Sequence, residues 1–243
     1  MKLSIIVPAY NEEQNLSHDC LIPIAKYAQK YQSEIILVND GSSDNTLNYL
    51  KKFAQGKKSV KIIDNPHMGK AASIMTGVRH STGDIILFTD MDQATPISEF
   101  DKFIGRFNSD YDIVIGSRSK REGAPMYRQV LAYGMVIVRT LILNLPFSDT
   151  QCAFKAFTKD TAKNIFPILE RIHPQKSTSI ANTNPGFDVE MLYIARKLGF
   201  KIAQVPVAWH YVESKRVSFV KDAYVGLREL LLVRLRSLTN KYF

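Results

Sequence analysis

The sequence is poor in cysteine and contains no long apolar run. Its 243 residues include two cysteines, Cys20 and Cys152, which lie far apart and lack the spacing of metal ligands. We therefore predict two reduced thiols in a cytosolic protein and exclude a disulfide framework. The apolar run at the amino terminus ends at Pro8 and is too short for the core of a signal peptide. The most apolar stretch, residues 130–147, is interrupted by Arg139 and by a proline, which argues against a membrane-spanning helix.

Two phosphate-binding sequence motifs are also missing, and acidic residues are too few to balance the basic ones. No Gly-x-Gly-x-x-Gly element follows the first strand, and Gly69-Lys70 lacks the glycine spacing of a P-loop. Lysine and arginine number 32 against 23 aspartates and glutamates, which gives a net charge of +9. This excess predicts an anionic partner: nucleic acid, anionic lipid or a phosphorylated substrate. Basic residues are spread along the chain without a recognisable nucleic-acid-binding motif, so we predict no nucleic-acid partner.

The first half of the chain alternates apolar runs typical of strands with segments typical of helices. The predicted strands cover residues 3–7, 34–38, 60–64, 84–89 and 112–115, and the predicted helices cover residues 11–31, 44–53, 69–80 and 97–108. Further on, we predict a loop over 170–185, a helix over 187–198, a strand over 201–207 and a long helix over 216–241. This alternation predicts an α/β domain with a mostly parallel, doubly wound sheet flanked by helices.

The most informative motif is Asp90-Met91-Asp92, which follows a strand that the pattern predicts to be buried. Two carboxylates one residue apart, where an apolar strand ends, can bind one hard divalent cation, which can in turn hold a diphosphate. Open α/β sheets bind ligands at the carboxyl ends of their strands, which favours this interpretation. An isolated Asp-x-Asp is also common in turns and solvated loops, which is the alternative.

Two further polar segments stand at the ends of predicted strands. Residues 8–12 follow the first strand and predict either a capped helix start or the floor of a nucleotide pocket. Asp40 follows the second strand, where its carboxylate can accept a hydrogen bond from a base imide N–H or a ribose hydroxyl. Gly41 permits a tight turn there, and a capped turn without a ligand is the alternative.

Taken in order, these motifs resemble those of family-2 glycosyltransferases with the GT-A fold, and most of all the dolichyl-phosphate (polyprenyl-phosphate) β-glucosyltransferases. The matching segments are residues 5–12, 38–42, 89–92, 116–118, 149–155, 187–190 and 205–209. The resemblance implies a GT-A domain over residues 1–218, with a Rossmann-like sheet, and a C-terminal amphipathic helix over residues 219–243.

The resemblance also implies which residues bind a UDP-sugar. They are Pro8, Tyr10, Glu12, Asp40, Asp90, Met91, Asp92, Ser214 and Lys215. Asp90 and Asp92 are implied to hold the uridine moiety and, through Mg²⁺ or Mn²⁺, the diphosphate. Ser214 and Lys215 stand where the family has a loop that closes on the donor phosphates.

The implied catalytic residues are Asp92, Arg118, Asp149 and Gln151. Asp149, Gln151 and Cys152 are implied to line the site where sugar and acceptor meet. Our candidates for holding phosphate are Arg118, Arg128, Lys215 and Arg216, of which the three arginines are assigned to the acceptor. Asp188 and Glu190 resemble the acidic pair on the helix behind the sugar pocket.

Four residues depart from the family's pattern. Asn39 stands in place of an aspartate, Gln93 and Ala153 each replace a glycine, and Glu213 replaces the glycine before Ser-Lys. These departures bear on the identity of the sugar more than on the class of reaction.

The acceptor's charge suggests a mechanism. A polyprenyl phosphate is anionic at neutral pH, so it can attack C1 of the sugar without a strong general base. The resemblance implies inverting transfer of glucose, which yields a β-linked lipid phosphosugar. Transfer of GlcNAc or mannose to polyprenyl phosphate, or of a sugar to a polysaccharide, are the alternatives. A noncatalytic partner-binding protein is an alternative of another class, against which the intact Asp90 and Asp92 argue.

Two segments combine apolar and basic residues at helical spacing, residues 126–147 and the C-terminal helix. They predict interfacial helices that seat a peripheral protein on the anionic cytoplasmic face of a membrane, with residues 126–147 serving the acceptor. One alternative is an ordinary core helix together with a helix that pairs with a second copy of the chain in a homodimer. Another is that the C-terminal helix presents its apolar face to a membrane-protein partner.

Overall fold

The structure, a computed structural model, describes residues 1–118, 126–174, 186–210 and 219–243, and only the backbone of residues 126–132 and 219–223. A seven-stranded sheet forms its centre, in the order β3-β2-β1-β4-β6-β5-β7. The strands are β1 (Leu3–Ala9), β2 (Glu34–Asp40), β3 (Val60–Asn65), β4 (Ile85–Phe88), β5 (Ile113–Ser117), β6 (Lys155–Thr158) and β7 (Ile202–Pro206). Strand β6 is antiparallel to its neighbours β4 and β5, and the other pairs are parallel. The predicted mostly parallel α/β sheet is thus confirmed.

Helices cover both faces of the sheet. They are α1 (Glu13–Ser17), α2 (Leu21–Lys30), α3 (Thr46–Ala54), α4 (Lys70–Arg79), α5 (Asp101–Phe107), α6 (Met126–Leu143), α7 (Lys159–Ile172), α8 (Phe187–Lys197) and α9 (Phe219–Leu238), with a short 3₁₀ turn at Ile97–Phe100. Successive residues of β1 enter opposite apolar clusters, Ile5 on one side and Ile6 on the other. Burial on both faces explains why β1, β2, β4 and β5 read as mostly continuous apolar runs.

The structure corrects several sequence-based boundaries. The helix predicted over residues 11–31 is broken into α1 and α2, because Asp19 adopts a left-handed conformation with φ 58°. Strand β1 continues through Pro8, which was predicted to end it. Proline fits there because β4 pairs with β1 only as far as Ile6, so beyond that residue β1 is flanked by β2 alone.

Glu34, at the start of β2, joins three elements and makes stability depend on pH. Its carboxylate accepts hydrogen bonds from Ser4 Oγ (2.6 Å), from Thr82 N and Oγ1 (2.6 and 2.8 Å) and from Lys61 Nζ (2.8 Å). Burial opposes ionisation, but the donors from Lys61, Ser4 and Thr82 lower the pKa of Glu34 to about 2. Because the unfolded pKa is about 4.3, this stabilisation is complete above that pH and is lost as the pH falls towards 2.

We expect Glu34→Gln to remove this pH dependence. Wild-type protein loses about 2 kcal/mol of unfolding free energy through this group between pH 5 and pH 2, after allowance for solvent screening at the half-exposed Lys61. The variant loses correspondingly less, as measured by urea unfolding across that range. Glu170→Gln is the matched control, because Glu170 forms a longer bridge with Arg79 (3.5 Å) and is more exposed. Equal pH slopes for wild type and Glu34→Gln would contradict this account.

Candidate active site

The carboxyl ends of β1, β2 and β4 meet at one edge of the sheet, where the chain order reverses direction across β1. Open α/β sheets bind ligands at such a point. Strand β4 stops at Phe88 while β1 continues to Ala9, and the segment after β4 turns away into Asp90 and Asp92. Burial raises the pKa of Glu12, and the charges of the nearby Asp92 and Asp90 raise it further. The sheet therefore gathers the acidic residues that the sequence placed at separate strand ends.

The two aspartates after β4 differ in their surroundings. Asp90 Oδ1 contacts the ammonium of Lys70, the first residue of α4. Asp92 Oδ1 accepts a hydrogen bond from Ala94 N at 3.0 Å, and no donor of the described residues reaches its second oxygen. Burial raises the pKa of Asp92, and the neighbouring Asp90 raises it further. The Met91 side chain is buried in the core, which leaves any contact between Met91 and a nucleotide to its backbone.

This acidic pair fits a divalent cation only if a ligand supplies part of the coordination shell. Among the described residues, no group of three or more His, Cys, Asp or Glu side chains is arranged to hold a metal ion. Carboxylate oxygens at Asp90 and Asp92 are hard donors suited to Mg²⁺ or Mn²⁺, which take about six ligands and retain open positions for phosphate oxygens. Burial and the neighbouring carboxylates raise the pKa values of Asp92 and Glu12, and a bound cation would offset this cost of ionising them.

The second charged group of the site is the bidentate ion pair of Asp149 and Arg118. Arg118 Nε donates to Asp149 Oδ2 at 2.6 Å and its Nη2 donates to Oδ1 at 2.8 Å. The backbone N–H groups of Arg118 and Gln151 donate to the same carboxylate, both at 3.1 Å. Burial opposes ionisation of Asp149, but these contacts hold its pKa well below the usual range. A carboxylate so occupied cannot serve as a general base at neutral pH.

A cavity of about 100 Å³ is lined by Asp90 from the acidic pair and by Arg118 from the ion pair, but not by Asp92 or Asp149. Its lining includes Lys70, Asp90, Arg118, Gln151 and Trp209. The guanidinium of Arg118 lies over the indole of Trp209, 5.7 Å from the ring centroid, which adds a cation–π contact to the ion pair. The predicted residues Asp90, Arg118 and Gln151 are thus brought to one cavity.

Asp40 was predicted to contact a nucleoside, and the structure places its carboxylate among other donors. It is buried at the end of β2 and accepts from Met68 N (2.9 Å), Gly69 N (2.8 Å) and His67 Nδ1 (2.8 Å). The imidazole of His67 in turn stacks on the Tyr10 ring, with centroids 4.0 Å apart and planes inclined by 15°. Asp40 and Tyr10 are therefore neighbours of one segment, residues 67–69.

Three cationic or ionisable residues of this region were not identified from the sequence. Lys70 was considered only as part of a P-loop, although a lysine directly after Gly69 (φ 93°) at a helix start is a usable signal. His67 carried no signal of its own. Lys155 is fully buried at the start of β6, where its ammonium donates to Asp188 Oδ1 at 2.7 Å and contacts the carbonyl of Cys152.

Asp188 and Glu190 face different neighbours. Residues two apart on a helix do not share a face. Asp188 binds Lys155, whereas Glu190 is buried against the C-terminal part of the chain. Glu190 Oε1 accepts from Arg236 Nη1 at 2.8 Å and from Tyr242 Oη at 2.6 Å, so it anchors the end of the chain.

Several predicted residues lie outside the part of the chain that the structure describes. These are Ser214, Lys215 and Arg216, together with the side chain of Arg128. Their assigned contacts with donor and acceptor phosphates stay predictions.

Comparison with known proteins identifies relatives over nearly the whole chain. The family model described as Glycosyl transferase family 2 matches residues 4–166. The dolichyl-phosphate beta-glucosyltransferase of Homo sapiens is 32% identical over 263 residues, covering 99% of this chain and 77% of the relative. The enzyme of the same name from Drosophila melanogaster is 32% identical over 265 residues, covering 100% of this chain and 77% of the relative.

Solved structures share the fold at low sequence identity. Mannosyl-3-phosphoglycerate synthase from Rubrobacter xylanophilus aligns with a TM-score of 0.68 and 14% identity, covering 99% of this chain and 75% of that one. Glucosyl-3-phosphoglycerate synthase from Mycobacterium tuberculosis, in complex with Mn²⁺, UDP and glucosyl-3-phosphoglycerate, aligns with a TM-score of 0.64 and 16% identity, covering 97% and 79%. These neighbours confirm the predicted GT-A fold, and GT-A relatives bind Mn²⁺.

Proposed function

This chain belongs to glycosyltransferase family 2, and from that premise we propose that it transfers glucose from UDP-glucose to a polyprenyl phosphate with inversion at C1. The observation that carries the proposal is the similarity to dolichyl-phosphate beta-glucosyltransferases, which extends over 99% of the chain rather than over the donor-binding half alone. The acidic cleft at the carboxyl ends of β1, β2 and β4 supports it. The product is a β-linked lipid phosphosugar.

On this proposal the donor lies along the acidic edge of the sheet. Tyr10 and Asp40 bind the uridine, and Asp90 and Asp92 hold Mg²⁺ or Mn²⁺. When bound, the cation supplies Lewis-acid stabilisation of the charge that develops on the departing UDP. Lys70, already against Asp90, contributes a second positive charge beside the same phosphates.

The acceptor phosphate approaches from the side of Arg118. Because the phosphate is already ionised, the protein needs to hold it in line with C1 rather than to deprotonate it. Asp149 keeps the Arg118 guanidinium in one orientation on the wall of the cavity that Asp90 also lines. Arg139 of α6 donates to Thr150 Oγ1 at 3.0 Å and so ties that helix to the Asp149 loop.

A panel of donors tests the sugar and the acceptor together. We expect label from UDP-[¹⁴C]glucose to enter the organic phase when a short polyprenyl phosphate is present. Labelled UDP-GlcNAc and GDP-mannose serve as parallel donors, and a soluble polysaccharide serves as the competing acceptor. Transfer from GlcNAc or mannose donors alone would replace the glucose assignment, and transfer to polysaccharide alone would replace the lipid acceptor.

The lipid acceptor leads us to propose a peripheral membrane protein. Among the described residues, no helix is both long and apolar enough to cross a bilayer. Helices α6 and α9 pack together and expose an apolar face, defined here as Tyr133, Ile137, Leu141, Tyr224, Leu227, Leu231, Leu235 and Leu238. Exposed Arg228 and Arg234 flank it and suit an anionic lipid surface.

We expect the double variant Leu231→Gln/Leu235→Gln to lose vesicle binding by about tenfold or more, because two half-exposed leucines no longer enter the lipid. Sedimentation with phosphatidylcholine–phosphatidylserine vesicles measures the bound fraction, and Leu231→Met/Leu235→Met is the control that keeps the surface apolar. Unchanged binding by the glutamine variant would remove the apolar face from the account. If the wild-type protein is a dimer that the glutamine variant dissociates and the methionine variant does not, the apolar face binds a second copy of the chain instead.

A further inference from the structure

The imidazole of His67 occupies a position on Tyr10 with the geometry of a stacked nucleobase. The two ring centroids are 4.0 Å apart and the planes are inclined by 15°. Flat rings at this spacing gain both dispersion contact and desolvation, which is how aromatic side chains bind bases. Tyr10 is exposed and His67 is partly exposed to solvent, so a ligand can reach this pair.

The edge of the His67 ring contacts Asp40, the residue that we propose binds the uridine. His67 Nδ1 lies 2.8 Å from Asp40 Oδ2 and 3.0 Å from the Asp40 carbonyl oxygen. The sequence predicted that Asp40 accepts a hydrogen bond from a base imide N–H, such as that of uracil, or from a ribose hydroxyl. One histidine thus satisfies both contacts that the Tyr10–Asp40 pair offers to a base.

The backbone beneath His67 is held independently of its ring. Met68 N and Gly69 N donate to the Asp40 carboxylate at 2.9 and 2.8 Å. A side-chain carbon added at Gly41 (φ +65°) would come within 2.6 Å of His67 N, so the two segments touch through backbone atoms. The imidazole can therefore leave Tyr10 by rotation about its side-chain bonds, while residues 67–69 stay in place.

We propose that His67 occupies the nucleobase position in the ligand-free enzyme and that the base of the donor displaces it. His67 then weakens donor binding, because the base must break an existing ring stack and hydrogen bond before it forms its own. The inference rests on the proposed UDP-sugar donor. It predicts that shortening this side chain strengthens donor binding, whereas a histidine that formed part of the bound pocket would weaken binding when removed.

The test measures UDP affinity by calorimetry in wild type, His67→Ala and His80→Ala. We expect His67→Ala to lower the Kd about three- to tenfold, as loss of one competing stack and hydrogen bond implies. His80→Ala is the control, because His80 is exposed at the end of α4 and bonds only locally to the Thr76 carbonyl. An unchanged or higher Kd in a His67→Ala protein with wild-type melting behaviour overturns the inference.

NMR of the histidine ring protons separates this inference from the proposed function. In free wild-type protein we expect the Tyr10 ring to shift the His67 signals upfield, and we expect this shift to disappear in Tyr10→Leu. We expect saturation with UDP to return these signals to unstacked positions. Signals that stay shifted at saturation overturn the displacement of His67 while leaving donor binding intact. Failure of UDP to bind any of the proteins contradicts the proposed donor, and the displacement falls with it.

Discussion

Replacing Asp92 by asparagine is expected to lower kcat/KM for sugar transfer by on the order of 10³-fold. Asparagine keeps the shape of the side chain, including an oxygen for Ala94 N, but removes the charge that would hold a divalent cation against the diphosphate. The loss is measured as lipid product formed from UDP-glucose over a series of Mn²⁺ concentrations. The half-saturating Mn²⁺ concentration should rise along with the fall in rate.

The same substitution should leave the protein at least as stable. Burial and the neighbouring Asp90 raise the pKa of Asp92, so its charge costs stability in the ligand-free protein. A melting temperature equal to or above that of wild type therefore separates loss of function from loss of fold. Asp110→Asn, in an exposed turn, is the matched control and keeps full activity. Near wild-type transfer by Asp92→Asn would remove this residue from the donor site.

The second large effect is expected at the pair of Asp149 and Arg118. Asp149→Asn should lower transfer by about 10²- to 10³-fold, because the guanidinium loses the partner that fixes it on the cavity wall. It should also cost about 3–5 kcal/mol of unfolding free energy, since a mostly buried cation loses its charged partner. Urea unfolding and steady-state kinetics measure the two losses.

Arg118→Lys distinguishes orientation from charge. Lysine keeps the positive charge but cannot form the two parallel hydrogen bonds, so we expect at least a tenfold loss of kcat with a smaller loss of stability. Asp149 stays ionised across the working range because its pKa is held low, so no limb of the pH–rate profile between pH 5 and 9 belongs to it. An acidic limb, in which the rate falls as the pH drops below about 7, that disappears in Asp149→Asn would show proton abstraction and contradict the positioning role.

The centre of the sheet was predictable because β1, β2, β4 and β5 are buried on both faces and read as apolar runs. Strand β6 and helix α7 were not identified. The four residues of β6 follow a loop and begin with Lys155, a charged residue that no pattern rule places in a core. Its burial depends on Asp188, 33 residues later, and such a distant partner leaves no local trace. The antiparallel strand β6 is the feature that a purely alternating pattern could not reveal.

The acidic half of the site was predictable for a similar reason. Parallel strands end at the same edge, so polar residues after β1, β2 and β4 had to meet. The contacts of those residues were harder to predict from the sequence, because they depend on side chains from other segments. The carboxylate of Asp40 was predicted to contact a nucleoside. In the structure it accepts hydrogen bonds from the backbone of Met68 and Gly69 and from the ring of His67. Lys70 reaches Asp90 across 20 residues of chain.

Lipid-dependent release of UDP from UDP-glucose tests both the proposed donor and the proposed acceptor. Purified protein is given a short polyprenyl phosphate with Mn²⁺ or with EDTA, and UDP is measured with and without the lipid. We expect release that needs both the lipid and the metal and that is lost in Asp92→Asn. Release that ignores the lipid would contradict the acceptor, and a wild-type protein that neither releases nor binds UDP would contradict the glycosyl donor itself.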